Sequence, residues 1–324
     1  MKITIIVPYF GTLPNYFQLF LNSCRHNSDF NWIIFTDDLN DYLYPENVSR
    51  VYMTFSECQQ LVRSKFDFNI AIDFPQKICD YRCAFGLIFD EYLNDSDWWG
   101  HCDLDQLFGD LNSFITPEML SNYDKLFSHG HLTLYKNNVE NNNIFKYKLN
   151  GKLRYKEVFS SNLGYAFDEW LPESINDIYL QLGLPVMLKP LGADINPYCT
   201  TFQTVDFDVY NRKYVLSSIK NSIFEMRNGH IYQIYQDGNE LREREYPYIH
   251  LQKRNMIDKR NNKTDINYFI IPNAFIDKNL CAKDLLKKSS VFRIINFQYF
   301  KNKFNSLKYR IKNNYWVSYN VFKS

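Results

Sequence analysis

The stretch from Asp97 to Leu111, DWWGHCDLDQLFGDL, sets two carboxylates, Asp103 and Asp105, on either side of one leucine between apolar runs. Carboxylates leaving an apolar strand are costly to bury unless a cation answers them. Mg2+ and Mn2+ take oxygen ligands, commonly from one or two carboxylates together with the phosphates of a substrate. The pair therefore reads as a divalent-metal site that also grips a phosphorylated ligand. An Asp-x-Asp also stands harmlessly in many exposed loops. Three features argue for a site here: the aromatic run before it, the Leu107-Phe108 pair after it, and a preceding chain that reads as a nucleotide-binding half-sheet.

That half-sheet rests on pattern. KITIIVPYF is a β-branched run stopped by Pro8 and Gly11, suited to a strand buried on both faces of a parallel sheet. Residues 15–27 carry helical apolar spacing. FNWIIFTDD, 30–38, reads as a second buried strand, and VSRVYMTF as a third. Strand–helix–strand–strand predicts a doubly wound α/β sheet whose ligands bind beyond the carboxyl ends of the strands. Residues 76–93 read as one helix, 98–102 as a central strand with Asp103-Leu104-Asp105 as its exit, and 110–114 as a turn or short helix. Gly130 to Tyr135 reads as a further strand, 137–158 as an Asn- and Lys-rich loop over the site, and 165–183 as a helical stretch. Between 200 and 250, Asn228-Gly229 and Asp237-Gly238 mark β-hairpins.

Bulk properties narrow the class. The chain has 324 residues, 45% hydrophobic and 18% aromatic, enough for one large α/β domain with an extension. A net charge of +1 argues against a general polyanion binder, and no nucleic-acid-binding motif appears. Seven cysteines without paired metal-ligand spacing read as reduced thiols of a cytosolic protein. No apolar run approaches the ~20 residues that span a bilayer, and the N-terminus does not read as a signal peptide. From Leu285 onward, nine Lys or Arg are interleaved with aromatic and aliphatic residues, and no Asp or Glu is present. That composition fits a basic amphipathic helix on an anionic membrane surface, or a terminal helix packed on the body. The boundary is drawn at 1–284 and 285–324.

In order, IVPYFG, FTDD, KICDYR, WGHCDLDQLFGDL, GHLTLYKN, FDEW and IHLQKR resemble the bacterial surface-polysaccharide (capsular) glycosyltransferases of the GT-A class. The similarity spans roughly residues 1–256 and is most specific at WGHCDLD. A more distant similarity is to the glycogenin-like and lipopolysaccharide galactosyltransferases, in which a late histidine joins the Asp-x-Asp on the metal. The resemblance implies a Rossmann-like, mostly parallel mixed sheet flanked by helices, and Mn2+ or Mg2+ with a UDP-sugar donor. Asp103 and Asp105 would hold the metal and, through it, the diphosphate. His250 would be the third ligand, with Lys253 near the diphosphate. Pro8, Tyr9 and Phe10 would wall the base. Asp37 would grip uracil or ribose, its alternative being a simple helix cap. Lys77 and Arg82 would face the ribose-diphosphate, their alternative being surface charge. His129 and His131 would start a strand near the donor sugar, since two alternating histidines without further ligands make a weak zinc site.

Asp168 and Glu169 would supply the catalytic carboxylate that an inverting transferase needs to deprotonate its acceptor, or would bind acceptor hydroxyls while Trp170 stacks on a sugar. The alternative is an acidic first helical turn. The implied activity is transfer of a hexose, galactose or glucose, to a growing lipid-linked glycan at the inner membrane face. Two rivals stand beside this: a metal-dependent phosphohydrolase, which would want a second ligand cluster with Asp110 the nearest carboxylate, and a non-catalytic glycan-binding protein, which would need no metal and against which Asp103, Asp105 and His250 argue.

Overall fold

A computed structural model describes residues 1–291 except 198, 253 and 255, together with positions 300, 304, 307, 308 and 311 of the tail. Among the described residues the large sheet runs in the order Val48–Tyr52, Phe30–Thr36, Ile3–Pro8, Trp98–Cys102, Leu132–Lys136, Lys125–His129, Val186–Met187. Four of its six ladders are parallel and two antiparallel, so the expected mixed, mostly parallel α/β sheet is what the chain forms. The strand Trp98–Cys102 matches its expected bounds, and both tryptophans are buried. Period-two geometry sends them to opposite faces. Trp98 enters one apolar layer with Phe20, Phe30 and Trp32, and Trp99 enters the other with Tyr135 and Phe85. Two aromatic layers on one strand are why the sequence spends two tryptophans before its carboxylates.

A second sheet assembles the chemistry. Gln106–Phe108 follows the Asp-x-Asp at once and pairs antiparallel with Tyr248–His250, which pairs parallel with Ala193–Ile195. The register sets His250 opposite Gln106 on one side and opposite Asp194 on the other. A third, mostly antiparallel sheet spans Ser222 to Asp277 and carries both expected hairpin turns.

Four expected elements differ. Residues 76–93 are not one helix but a 3-10 helix Pro75–Ala84, an α turn Phe85–Ile88 and a 3-10 turn Asp90–Tyr92. In 3-10 geometry residues i and i+3 eclipse, which sets Lys77 over Asp80. Residues 137–158 do not cover the site: Ile144, Phe145, Leu149, Tyr155 and Val158 draw that segment into the Trp99 layer. The strand at 130–135 is a hairpin, Lys125–His129 and Leu132–Lys136, with Gly130 and His131 at its turn. In 165–183 only Ile175–Gln181 is helical, started by a Ser174/Asp177 capping box. The segment before it stays irregular because Asp80 accepts from the backbone N–H groups of Tyr165 and Phe167.

The 284/285 boundary falls inside the helix Ala282–Val291, whose Leu285 and Leu286 pack on Ile223, Ile234 and Phe269 of the third sheet. No described helix is long and apolar enough to cross a membrane, and the described residues contain no disulfide.

Candidate functional site

The strand Ile3–Pro8 lies between Phe30–Thr36 and Trp98–Cys102, so the chain turns to opposite sides of it. Such a switch point opens a crevice at the carboxyl ends of the strands. A cavity of about 500 Å3 lies there, within the usual range for small-ligand sites. Pro8, Tyr9 and Phe10 line it from the first strand's exit, Asp103 and Asp105 from the fourth's, and Arg82 from the 3-10 helix.

Asp103, Asp105 and His250 each offer a ligating atom within 4.8 Å of the others. His250 Nε2 lies 3.2 Å from Asp105 Oδ1 and 3.7 Å from Asp103 Oδ2. Two backbone hydrogen bonds hold this geometry: Leu251 N–H donates to Asp105 O at 2.8 Å, and Asp103 N–H to His131 O at 3.3 Å. Behind His250, its Nδ1 meets Asp194 Oδ1 at 2.9 Å. A carboxylate on the far nitrogen is how metal-ligating histidines are oriented. Burial opposes charge on His250, but Asp105 and Asp194 together raise its pKa well above the ordinary histidine value. The site thus already favours positive charge between its carboxylates. That and the two-oxygen, one-nitrogen donor set fit a divalent cation.

Arg82 bridges to a second acidic group. Its guanidinium pairs with Asp103 and, at 3.1 Å, with Asp168 Oδ2, and it donates to Gly130 O. Gly130 is at close quarters: a Cβ there would come within 2.5 to 2.8 Å of Arg82, Glu169 and Asp168 side-chain atoms. The glycine of HGH is therefore required by packing against this cluster. Asp168 and Glu169 do not line the cavity; they sit beyond Arg82. Burial raises Asp168 to about 6, against the pull of Arg82, and burial with Asp168 raises Glu169 to about 8. The two carboxyls are raised together as one buried pair, and the Arg82 guanidinium 3.1 Å from Asp168 favours the shared proton on Glu169.

These shifts set a pH dependence. Between its ordinary 4.5 and about 8, Glu169 is protonated in the folded chain and ionised in the unfolded one. The folded state then binds more protons, so this group subtracts stability as pH rises through that window. Glu169→Gln removes the effect, so its Tm relative to wild type should climb between pH 5 and pH 8.5, by several degrees. A constant Tm difference across those pH values would contradict the assignment.

Other expected residues separate. Asp37 lies at the end of its strand and accepts from Gly11 N–H at 2.9 Å, shaping the loop after Phe10, and it does not line the cavity. Lys77 corrects the reading that faced it to a diphosphate. It is fully buried and donates to Asp80, Val158 O and Leu163 O at 2.7, 2.9 and 2.7 Å. Three acceptors spend its three protons away from the cavity. Trp170 packs on Phe207 and donates to Tyr214 Oη, an aromatic cluster shared with His129. Lys253 lies outside the described residues.

Sequence reasoning missed Asp194, Arg254 and Lys125. Asp194, in LGADIN, stands 56 residues from His250, and only the strand pairing joins them. Arg254 lines the cavity, as Arg82 does, and donates to Asn196 O and Thr200 O. Lys125 is buried beside Asp168 and Glu169, and burial lowers its pKa to about 7.

Fold and site define a mixed α/β protein with an Asp-x-Asp and histidine cluster at a switch-point cleft. The chain belongs to a family of unknown function, DUF6625, which it matches over residues 5–279. No curated protein matches it in sequence. Among solved structures it is similar to a glycosyltransferase involved in glycosylation of the major capsid of PBCV-1. That overlap has 9% identity and a TM-score of 0.33, covering 60% of this chain and 85% of that one. It is also similar to the galactosyltransferase LgtC in complex with donor and acceptor sugar analogues. There the identity is 12% and the TM-score 0.34, over 61% of this chain and 77% of that one. Overlaps at these scores assign no role to any residue here.

Proposed function

We propose that this chain is a metal-dependent glycosyltransferase of the GT-A type that moves a hexose, galactose or glucose, from a UDP-sugar to a growing lipid-linked surface glycan. The observation that carries this reading is the convergence of Asp103, Asp105 and His250 on one point, with both carboxylates and Arg82 lining the switch-point cavity. A divalent cation, Mn2+ or Mg2+, held by those three residues would supply Lewis-acid neutralisation of the departing diphosphate. Arg82 would add a fixed positive charge to the same groups, and its hold on Asp103 keeps that carboxylate aimed at the cavity. Pro8, Tyr9 and Phe10 would enclose the base. Asp37 would act on it through the loop it ties down at Gly11. Asp168 and Glu169, held behind Arg82, would serve as the acceptor's carboxylate base only where acceptor binding moves Arg82 aside and opens them to the cleft.

Lys253 would complete the grip on the diphosphate. The protein would work in the cytoplasm, with its basic tail on the inner membrane face. Phe300, Phe304, Leu307 and Ile311 are exposed at helical i, i+4, i+7, i+11 spacing, as an interfacial helix requires.

A metal-dependent phosphohydrolase would want an independent second ligand group, and the group His131, Asp194 and His250 shares its histidine with the first. Asp110 does not contribute: its carboxylate is taken up by Asn112 and Ser113 in its own turn. Incubating the chain with UDP-sugars, Mn2+ and glycan acceptors separates the readings. Release of UDP with a glycosylated product supports transfer. Release of inorganic phosphate from phosphomonoesters, without sugar transfer, would replace it with hydrolysis.

A further inference from the structure

A second ligand set lies directly behind the first. His131, Asp194 and His250 are all buried and bring one ligating atom each within 4.8 Å of the others. The His131 ring shares a hydrogen bond between its Nδ1 and the Tyr248 hydroxyl at 2.9 Å, which fixes its orientation. Its Nε2 has no hydrogen-bond partner among the described residues although the side chain is 96% buried. A buried polar atom left unsatisfied is costly and calls for an explanation. The space for one exists. A small cavity of about 20 Å3 is lined by His129, His131, Lys189, Asp194, Phe207 and Tyr214, above the roughly 10–15 Å3 that one small occupant needs. His131 and Asp194 line this cavity and not the large cleft, and His250, which lines neither, stands between Asp194 and the Asp-x-Asp.

We propose that His131, Asp194 and His250 form a second, deep metal site that takes Zn2+ or a similar borderline transition ion. Two imidazoles and one carboxylate are the donor set of such ions, whereas Asp103 and Asp105 present the oxygen-rich set of Mn2+ and Mg2+. The two sites share His250 through different nitrogens: Nε2 faces Asp105 and Nδ1 faces Asp194. A neutral imidazole has one lone pair, so it serves one ion at a time. An ion at the deep site takes Nδ1, and the remaining proton sits on Nε2, facing Asp105. An ion at the cleft takes Nε2, and the proton sits on Nδ1, donated to Asp194. Binding at one site therefore opposes binding at the other, and by linkage the antagonism is reciprocal. The histidines of HGH, weak as a zinc pair in the sequence, gain here the two ligands that the sequence kept distant. The deep site stands whether or not the cleft binds a nucleotide sugar.

The test uses the full chain stripped with EDTA and titrated separately with Zn2+ and Mn2+. His131→Asn keeps a polar atom where Nδ1 meets Tyr248 and removes Nε2. It should weaken Zn2+ binding at least about tenfold and leave Mn2+ binding unchanged. Asp105→Asn should weaken Mn2+ binding far more than Zn2+ binding, since for Zn2+ it alters only the partner of the outer His250 nitrogen, and Zn2+ should raise the apparent Kd for Mn2+ in wild type. Zn2+ affinity untouched by His131→Asn, or abolished by Asp105→Asn, would overturn the proposal. Anomalous diffraction from Zn2+-soaked wild-type crystals decides the point without a variant. A peak bonded to His131 and Asp194 supports the deep site, and a peak confined between Asp103 and Asp105 refutes it. Failure of Mn2+ to bind wild type would count against the cleft reading alone.

Discussion

Asp105→Asn is expected to weaken Mn2+ binding by roughly 100- to 1,000-fold, because it removes a full charge from a partly buried ligand set, worth about 3–4 kcal/mol at an effective dielectric near 20. Asp105 is the better-shielded member of the pair, its side chain 13% exposed against 30% for Asp103. Its charge is therefore less screened by water. The substitution is nearly isosteric, and the backbone carbonyl that receives Leu251 N–H is unaffected, so the second sheet should stay assembled. Titration of free Mn2+ by electron paramagnetic resonance reads the loss directly. An unchanged Mn2+ affinity in a folded variant would remove Asp105 from the ligand set.

Lys77→Met is expected to be the most destabilising single change near the site. It leaves the Asp80 carboxylate buried without its ammonium and strips the carbonyls of Val158 and Leu163 of a donor. Breaking a buried pair by removing one partner costs about 3–5 kcal/mol, which for a chain of this size corresponds to on the order of 10 °C in Tm. The damage should be directed. Lys77 and Asp80 together hold 158–167, the segment leading into Asp168, through three backbone contacts from Asp80 and two carbonyls on Lys77. The variant should therefore also lose any catalysis that depends on Asp168, beyond what its residual folded fraction explains. Thermal melts monitored by circular dichroism give the first effect, and a Tm within a degree of wild type would contradict it.

Much of the large sheet was legible because its strands bury both faces. Runs such as ITIIVP and FNWIIFT leave no other use for so many β-branched and aromatic residues. The Asp-x-Asp was legible for the converse reason: two carboxylates at the end of such a run have no packing role. His250 was placed by resemblance, and the register of three short strands explains its position beside Asp105. What stayed hidden depended on long-range pairing. Lys77 and Arg82 look alike as two cations of one short segment, yet the 3-10 geometry buries one over Asp80 and turns the other to Asp103. Asp194 carries no local signal, because its strand is three residues long and its meaning lies in a partner 56 residues away. The segment 137–158 looked like a loop because Asn and Lys dominate its count, while its few apolar residues decide where it packs.

A glycosyltransferase of this kind must bind a nucleoside diphosphate in the cleft through a metal. The most direct measurement is calorimetric titration of the wild-type chain with UDP, in Mn2+ and then in EDTA, repeated with GDP, CMP and dTDP. The account predicts heat with UDP in Mn2+ that EDTA abolishes and that the other nucleotides reproduce weakly or not at all. Silence with all four nucleotides in Mn2+ would contradict the glycosyltransferase reading.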